Sequence, residues 1–570
     1  MKKVIVFLLV VVGVVLAAYL LFLEALAPAG SMPAVEAARS PVAVLDPKPR
    51  LMARLKDMVT DGSKGLYRLS LDDLQVDVAG QSVTLVNVSL QPDSAVLARL
   101  EERQEAPDDV VALRLRSFRV DGLGLSDLLT RKTIDLDTLR LLQPELTVYH
   151  RKQPYNSSRK DSLTLQQRLA KHLERFSVKK IIVQEGSIVH QHLARGQASR
   201  FTGLDIRLTD LLIDSTTRDA KDRFLFAKDA SLSFRNYSMP VGGKLYRLTL
   251  GAVRLDAARR QLTVRDLSFT PRYSKERFAR AAGGHRKERY RVTVSRLRLQ
   301  QVDWQRLLRE DGLSAAAVTI SRPRVAIYLD RTLPPSPSRK AVFPHQLLMQ
   351  LPFPVEVPRV EVENGEVVYE ERSPQSGQTA SIRFDRIRGQ VRPLSNRPKG
   401  RKRGAIVCTA GARVQGVTPL EARFRFDLSR HRQGAFSVAF DLGAFDGALV
   451  NSFAEPLGLM SVKSGRARRL EARLDGNNRQ ASGKVLLLYD DLHISALKKG
   501  EEGELKKKRL FSKLANVLVI KDHNPSGDDP PRAPECVYQK EPGDSFFNLI
   551  WKTVLTGMLK TIGAPEKLAK

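Results

Sequence analysis

The feature that most restricts what this chain can fold into is a duplication. Residues 67–92 (YRLSLDDLQVDVAGQSVTLVNVSLQP) align without a gap on residues 246–271 (YRLTLGAVRLDAARRQLTVRDLSFTP), with nine identities in 26 positions at an offset of 179. Most mismatches exchange one aliphatic for another, as at Val83 and Leu262. The offset persists downstream: Leu128-Leu129 meets Leu307-Leu308, Pro144 meets Pro323, and Tyr149 meets Tyr328. Further on, Gly186 in VKKIIVQEGSIVH meets Gly365 in VPRVEVENGEVVY. Two copies of a unit of about 180 residues predict an extended array of related modules.

Within each copy the local period is two. Tyr67, Leu69 and Leu71 alternate with polar neighbours, as do Leu74, Val76 and Val78; the second copy repeats this at Tyr246/Leu248/Leu250, Leu262/Val264, Val292/Val294 and Val318/Ile320. Such alternation, punctuated by Gly, Pro and Asp, predicts strands with one buried and one wet face, mostly antiparallel. Two helices interrupt it, one within 161–176 (Leu165, Leu169, Leu173, Phe176) and a shorter one over Trp304–Arg309. The copies diverge most in 93–112, with six acids and two arginines, against 272–291, with eight bases and two glutamates. The contrast is read as drift of an exposed connection or as a basic copy facing an anionic surface. The basic cluster 397–403 invites the same two readings.

The first residues carry a separate signal. Lys2 and Lys3 precede an uncharged apolar run from Val4 to Leu23. Twenty residues at ~1.5 Å per residue span about 30 Å, a bilayer's hydrocarbon thickness. This predicts one transmembrane helix, with Val4, Leu8, Val12, Leu16 and Leu20 in the membrane. The lysines set a cytoplasmic N-terminus and send the body across the bilayer. A cleaved signal peptide, ending near Ala25-Leu26-Ala27, is the rival reading.

Ninety-four Lys and Arg against 62 Asp and Glu leave a formal charge of +32, which speaks to anionic partners and not to fold. Nucleic acid is set aside by the compartment. Cys408 and Cys536 form one bridge or are unrelated residues. No metalloprotease, nucleophile-elbow, P-loop or dinucleotide motif occurs. His190 and His192, the only close histidine pair, lack an obvious third ligand. No catalytic residue, metal or cofactor is expected, and the chain reads as a non-enzyme.

From Gly404 to Ala496 strands continue, 522–543 reads as irregular loop, and Asp544–Ile562 reads as a helix. Phe546, Phe547, Ile550, Trp551, Val554, Leu555, Met558, Leu559 and Ile562 give it a broad apolar stripe. That stripe suits a capping helix on the last strands or an interfacial helix that touches a membrane.

The segments IDLDTLRLLQPELTVY (134–149), VEVENGEVVYEE (360–371), 464–495 and SFFNLIWKTVLTGMLKTIG (545–563), with the apolar N-terminus, resemble the AsmA-like family of Gram-negative envelope proteins. The resemblance implies a repeating β-groove: a long sheet curled lengthwise into a trough with an apolar interior, whose larger relatives are thought to conduct phospholipids. The expected architecture is mainly β. A transmembrane anchor (1–30) precedes two β-groove units (31–245 and 246–424), a C-terminal β region (425–500), and a loop with an amphipathic helix (501–570). The expected function is an inner-membrane, single-pass protein with a periplasmic body that binds or transfers phospholipid or another acyl-chain lipid. Leu69, Leu71, Leu85, Leu248, Leu250, Val264, Val292 and Val294 would line the trough. The alternative is a non-catalytic structural scaffold or assembly factor that binds envelope protein partners and keeps an ordinary packed core.

Overall fold

A computed structural model describes residues 48–122, 133–157, 174–217, 223–224, 226–243, 245–309, 312–335, 342–397, 404–499, 505–507, 521–541 and 544–564. They fall into two compact units. The N-terminal unit holds the chain up to Pro240 together with Thr249–Leu262; the C-terminal unit holds Val241–Leu248 and everything from Thr263 onward.

The N-terminal unit opens on helix α1 (Lys48–Gly62), followed by β1 (Tyr67–Ser70), β2 (Asp73–Asp77) and β3 (Ser82–Pro92). Helix α2 (Ser94–Glu102) leads into β4 (Asp109–Asp121), β5 (Thr133–Leu142), β6 (Glu145–His150), β7 (Arg175–His192), β8 (Gln197–Ile213) and β9 (Ala227–Val241). β1 and β2 share β3 as antiparallel partner, and β3 pairs antiparallel with β4. β4 pairs with β5 and then β6, and both of these run parallel to β7. β7–β8 and β8–β9 are antiparallel again. The period-two apolar residues make one buried face, with Leu85, Phe118 and Leu139 each 0 % exposed.

β10 (Tyr246–Asp256) and β11 (Gln261–Pro271) span the division between the units. The C-terminal unit continues with α3 (Lys275–Ala281), β12 (Arg289–Gln300), α4 (Trp304–Arg309), β13 (Leu313–Ser314), β14 (Ala317–Asp330) and α5 (Pro344–Met349). Next come β15 (Val355–Val357), β16 (Arg359–Arg372), β17 (Thr379–Arg392), β18 (Leu394–Ser395), β19 (Ala405–Val414) and β20 (Thr418–Asp427). The chain then forms β21 (Phe436–Leu442), β22 (Phe445–Asp446), α6 (Asn451–Gly458), β23 (Met460–Gly476) and β24 (Gln480–Lys499). It closes with β25 (Leu505–Lys507), β26 (Glu535–Gln539) and α7 (Phe546–Ile562). β12–β14 is antiparallel and β14–β16 parallel, after which β16, β17, β19, β20, β21, β23, β24 and β26 pair antiparallel in succession.

The sheet is therefore mixed, which corrects the expectation of antiparallel neighbours. Parallel ladders need a crossover of a dozen or more residues. The segments 151–174 and 331–358 supply one at the same place in each copy, where short connections had been assumed. α4 forms where predicted. Residues 158–173 lie outside the described residues, and Arg175–Phe176, placed at the end of the other predicted helix, open β7. The oppositely charged segments are helices rather than loops. α2 is capped by Asp93, which accepts from the N–H of Ala95 and Val96, and α3 by Ser274. The basic segment turns toward its own fold: Lys275 Nζ lies 2.7 Å from Glu370 Oε2 and over the Tyr328 ring. Of the basic cluster 397–403, all but Arg397 lies outside the described residues.

The duplication extends to backbone geometry. Left-handed φ values recur at the repeat offset in Gln81/Arg260, Asn87/Asp266, Gln143/Arg322 and Glu185/Asn364, all between 48° and 52°. Pro144 lies so close to Gly186 that a Cβ there would meet its Cγ at 3.1 Å; Pro323 meets Gly365 in the same way at 3.2 Å. These residues sit at the register shifts of β7–β8 and β16–β17, bulges that bend the strand and raise its twist. Even a side-chain bond recurs. Tyr67 Oη accepts from Val111 N at 3.2 Å, and Tyr246 Oη from Tyr290 N at 3.4 Å.

The membrane anchor does not stand as expected. Among the described residues no helix is long and apolar enough to cross a membrane. The run from Val4 to Leu23, with Val4, Leu8, Val12, Leu16 and Leu20, lies outside them. A single-pass inner-membrane topology with a periplasmic body is not supported, and the membrane and lipid partners inferred from it fall with it.

Candidate functional site

The C-terminal helix decides where the largest apolar site forms. Ser545 Oγ accepts from Asn548 N at 3.2 Å to start α7, and Gly563, at φ 78°, stops it. The helix is a core element rather than a membrane-surface one. Phe546 (5 %) and Leu559 (1 %) are buried, Ile550, Trp551 and Leu555 are half-buried, and only Phe547 stands out, at 54 % exposed. α7 packs on β24 and β26, the latter a strand inside the stretch read as loop. A helix whose stripe is spent on a sheet has no apolar face left for a bilayer, which corrects the interfacial reading.

Between α7, α6 and the sheet lies an apolar cavity of about 370 Å³. Its floor follows from alternation: Ile382 and Phe384 on β17, Ala410, Ala412 and Val414 on β19, Leu420, Ala422 and Phe424 on β20, Val438 and Phe440 on β21. Phe453 of α6 meets Trp551 of α7 edge-on, with ring centroids 4.4 Å apart, and both line the opposite wall. Ala410, Ala412 and Ala422 leave the space that larger residues would fill. None of the eight residues expected to line a trough borders this cavity. Leu69, Leu71, Leu85, Val264 and Val294 are buried, and Leu248, Leu250 and Val292 are half-buried on their strands.

The N-terminal end of α7 is held by a buried ionic network. Arg331 Nη1 donates to Glu371 Oε1 at 3.2 Å, and its Nη2 lies 3.4 Å from Glu541 and 4.0 Å from Asp544. Lys552 Nζ donates to Tyr538 Oη at 2.8 Å, and Tyr538 Oη donates to Asp544 Oδ2 at 3.0 Å. Tyr369 Oη donates to Glu371 Oε2 at 2.6 Å. Burial lowers the Arg331 guanidinium, but the carboxylates of Glu371 and Asp544 outweigh it and raise it on balance. For Lys552 burial wins and holds the ammonium below its usual range; burial also pushes the Tyr369 and Tyr538 phenols up. Each charge faces an opposite charge, which is what a closed positioning network requires. Sequence reading missed it because its partners lie up to 210 residues apart. The one local signal was Lys552, a cation inside an apolar stripe.

The remaining sequence candidates are dispersed. His190 and His192 do meet a third histidine: His150 stacks on His190 at 5.9 Å and meets His192 edge-on at 4.8 Å. His150 Nδ1 contacts Asp109 Oδ1 at 2.7 Å. Among the described residues, however, no group of three or more His, Cys, Asp or Glu side chains is arranged to hold a metal ion. Cys408 and Cys536 are both free thiols, and burial pushes the Cys408 thiol up to about 11. No family model matches the chain, and no curated protein matches it either. The likeness to AsmA-like proteins therefore rests on sequence texture alone.

Proposed function

We propose that this chain is a non-catalytic scaffold that binds a protein partner, with the apolar cavity of the C-terminal unit receiving the partner's apolar side chains. The cavity itself carries the reading. At about 370 Å³ it is smaller than one turn of helix, which is ~10–12 Å across and ~5.4 Å long, so it takes side chains and not a chain segment. Pockets that accept a few large apolar side chains are where binding energy concentrates in protein interfaces. The exposed Phe547 at its edge extends the apolar surface outward. The ionic network fixes α7, so the site is formed before anything binds and its ordering cost is small.

The test places a photo-crosslinking benzoylphenylalanine at Phe547, with and without Ala412→Trp to fill the cavity. One discrete protein adduct is expected, lost in the filled variant while the thermal melt stays within a few degrees. An adduct that survives filling, or a folded protein that crosslinks to no protein, overturns the reading.

A further inference from the structure

The polar face of the C-terminal unit carries a second site. Arg265 on β11, Arg296 on β12 and Arg322 on β14 border one depression of about 590 Å³. Ser295, Ser321 and Glu363 complete its walls, and Asp266 lies beside Arg265. Ser295 Oγ donates to Ser321 O at 2.9 Å, and Ser321 Oγ to Glu363 Oε2 at 2.9 Å, so both hydroxyls are engaged. Among the described residues none of the three guanidiniums has a hydrogen bond or ion pair.

The repeat shows that these arginines are not needed for the fold. At the offset of 179, Arg265, Arg296 and Arg322 stand where the first copy has Val86, Ser117 and Gln143. The backbone is the same in both: Gln143 and Arg322 each have φ 50°, and Asn87 and Asp266 beside them have φ 50° and 51°. One backbone frame thus carries three converging cations in one copy and none in the other. A planar guanidinium fork matches a carboxylate in two parallel hydrogen bonds. The depression also holds the carboxylates of Asp266 and Glu363. A phosphate polymer, with charge every few ångströms, meets them as repulsion. A chain that carries its carboxylates singly places them against the arginines and passes the two acids.

We infer that this arginine depression is a docking site for an acidic, Glu- or Asp-bearing segment of a protein partner. It is a different surface from the apolar cavity, and it is tested with a defined peptide, so either assignment can fail without the other.

The experiment measures anisotropy of fluorescein-labelled Ac-EAEAEAE-NH2 titrated with the full chain, from ~50 to ~200 mM salt, where screening lengths shorten toward 8 Å and below. The first variant carries Arg265→Val, Arg296→Ser and Arg322→Gln, each the first copy's own residue. A control of equal charge carries Arg423→Gln, Arg425→Gln and Arg473→Gln. The site variant is expected to weaken binding at least tenfold and to flatten its salt dependence, while the control loses less than threefold and both melt like the wild type. Equal loss in both variants, or no loss in the first, overturns the inference. Inorganic polyphosphate that binds through the same arginines more tightly than the peptide also overturns it, by assigning the site to phosphate polymers.

Discussion

The two copies of the repeat share strands, bulges and a Pro-on-Gly contact, yet they treat their apolar faces differently. In the first copy, Leu69, Leu71 and Leu85 are 8, 6 and 0 % exposed. In the second, their counterparts Leu248 and Leu250 are half-buried, and only Val264 is comparably covered. The reason lies just upstream. α1, residues 48–62, corresponds at the same offset to β9, residues 227–241. Where the first copy begins with a helix that buries Leu55 to 1 % and packs on β1 and β2, the second is preceded by another strand, paired with β8. Terminal repeats of an array carry caps and internal ones carry the next module. The same strand sequence can therefore form a closed core or a half-open face, depending on what precedes it.

The largest expected effect tests that contrast. Leu71→Ala should cost about 2–5 kcal/mol in urea unfolding, as for a fully enclosed leucine, and Leu250→Ala less than half as much. Equal losses would mean that the second face is as well covered as the first. The next effect belongs to the C-terminal unit alone. His345 is 1 % exposed, stacks on Phe426 at 5.0 Å, and neither ring nitrogen has a partner. Burial, with His431 nearby, lowers it from 6.5 to about 4, against a small opposing pull from Asp427. The unfolded chain then takes up the proton first. The stability from the neutral ring is full above pH 6.5 and is lost as pH falls toward 4, by up to about 3 kcal/mol. His345→Leu should flatten this part of the profile. A wild type as steep as the variant between pH 6.5 and 4 would remove His345 from the account.

Two smaller effects should be the same in both copies, because they come from the shared frame. Gly186→Ala and Gly365→Ala should each cost about 1–3 kcal/mol, since Pro144 and Pro323 must give way. Tyr67→Phe and Tyr246→Phe should each cost about 0.5–1.5 kcal/mol for the lost acceptor. Thermal melts of the four variants would show whether either pair separates. A clear difference within a pair would mean that the repeat is one of pattern and not of packing.

Strand existence was legible because a period of two needs only neighbouring residues, and β3, β12, β20 and β21 lie where alternation put them. α7 and its cap were legible for the same reason: Ser545 and Gly563 act within one turn of the helix they bound. The parallel ladders were not legible, because direction depends on where a 24- or 28-residue connection returns the chain. β26 escaped notice inside a Pro- and Asp-rich stretch, since its order comes from pairing with β24. The cavity was missed because Ala410, Ala412 and Ala422 look like ordinary strand residues until α7 is placed opposite them. The expected trough residues alternate correctly, but alternation names a face and not what lies against it.

What the sequence by itself determined is the repeat and everything that follows from local sterics: alternation, helix caps, and the positions where Pro must lie over Gly. Those depend on bonded neighbours and on a fixed offset, both readable in one dimension. Only the tertiary structure decided that Arg331, Glu371, Asp544 and Lys552 share one buried network, that α7 closes a cavity, and that Arg265, Arg296 and Arg322 converge. Charge and apolar surface act through space, so residues far apart in the chain become partners only after the strands have found their order.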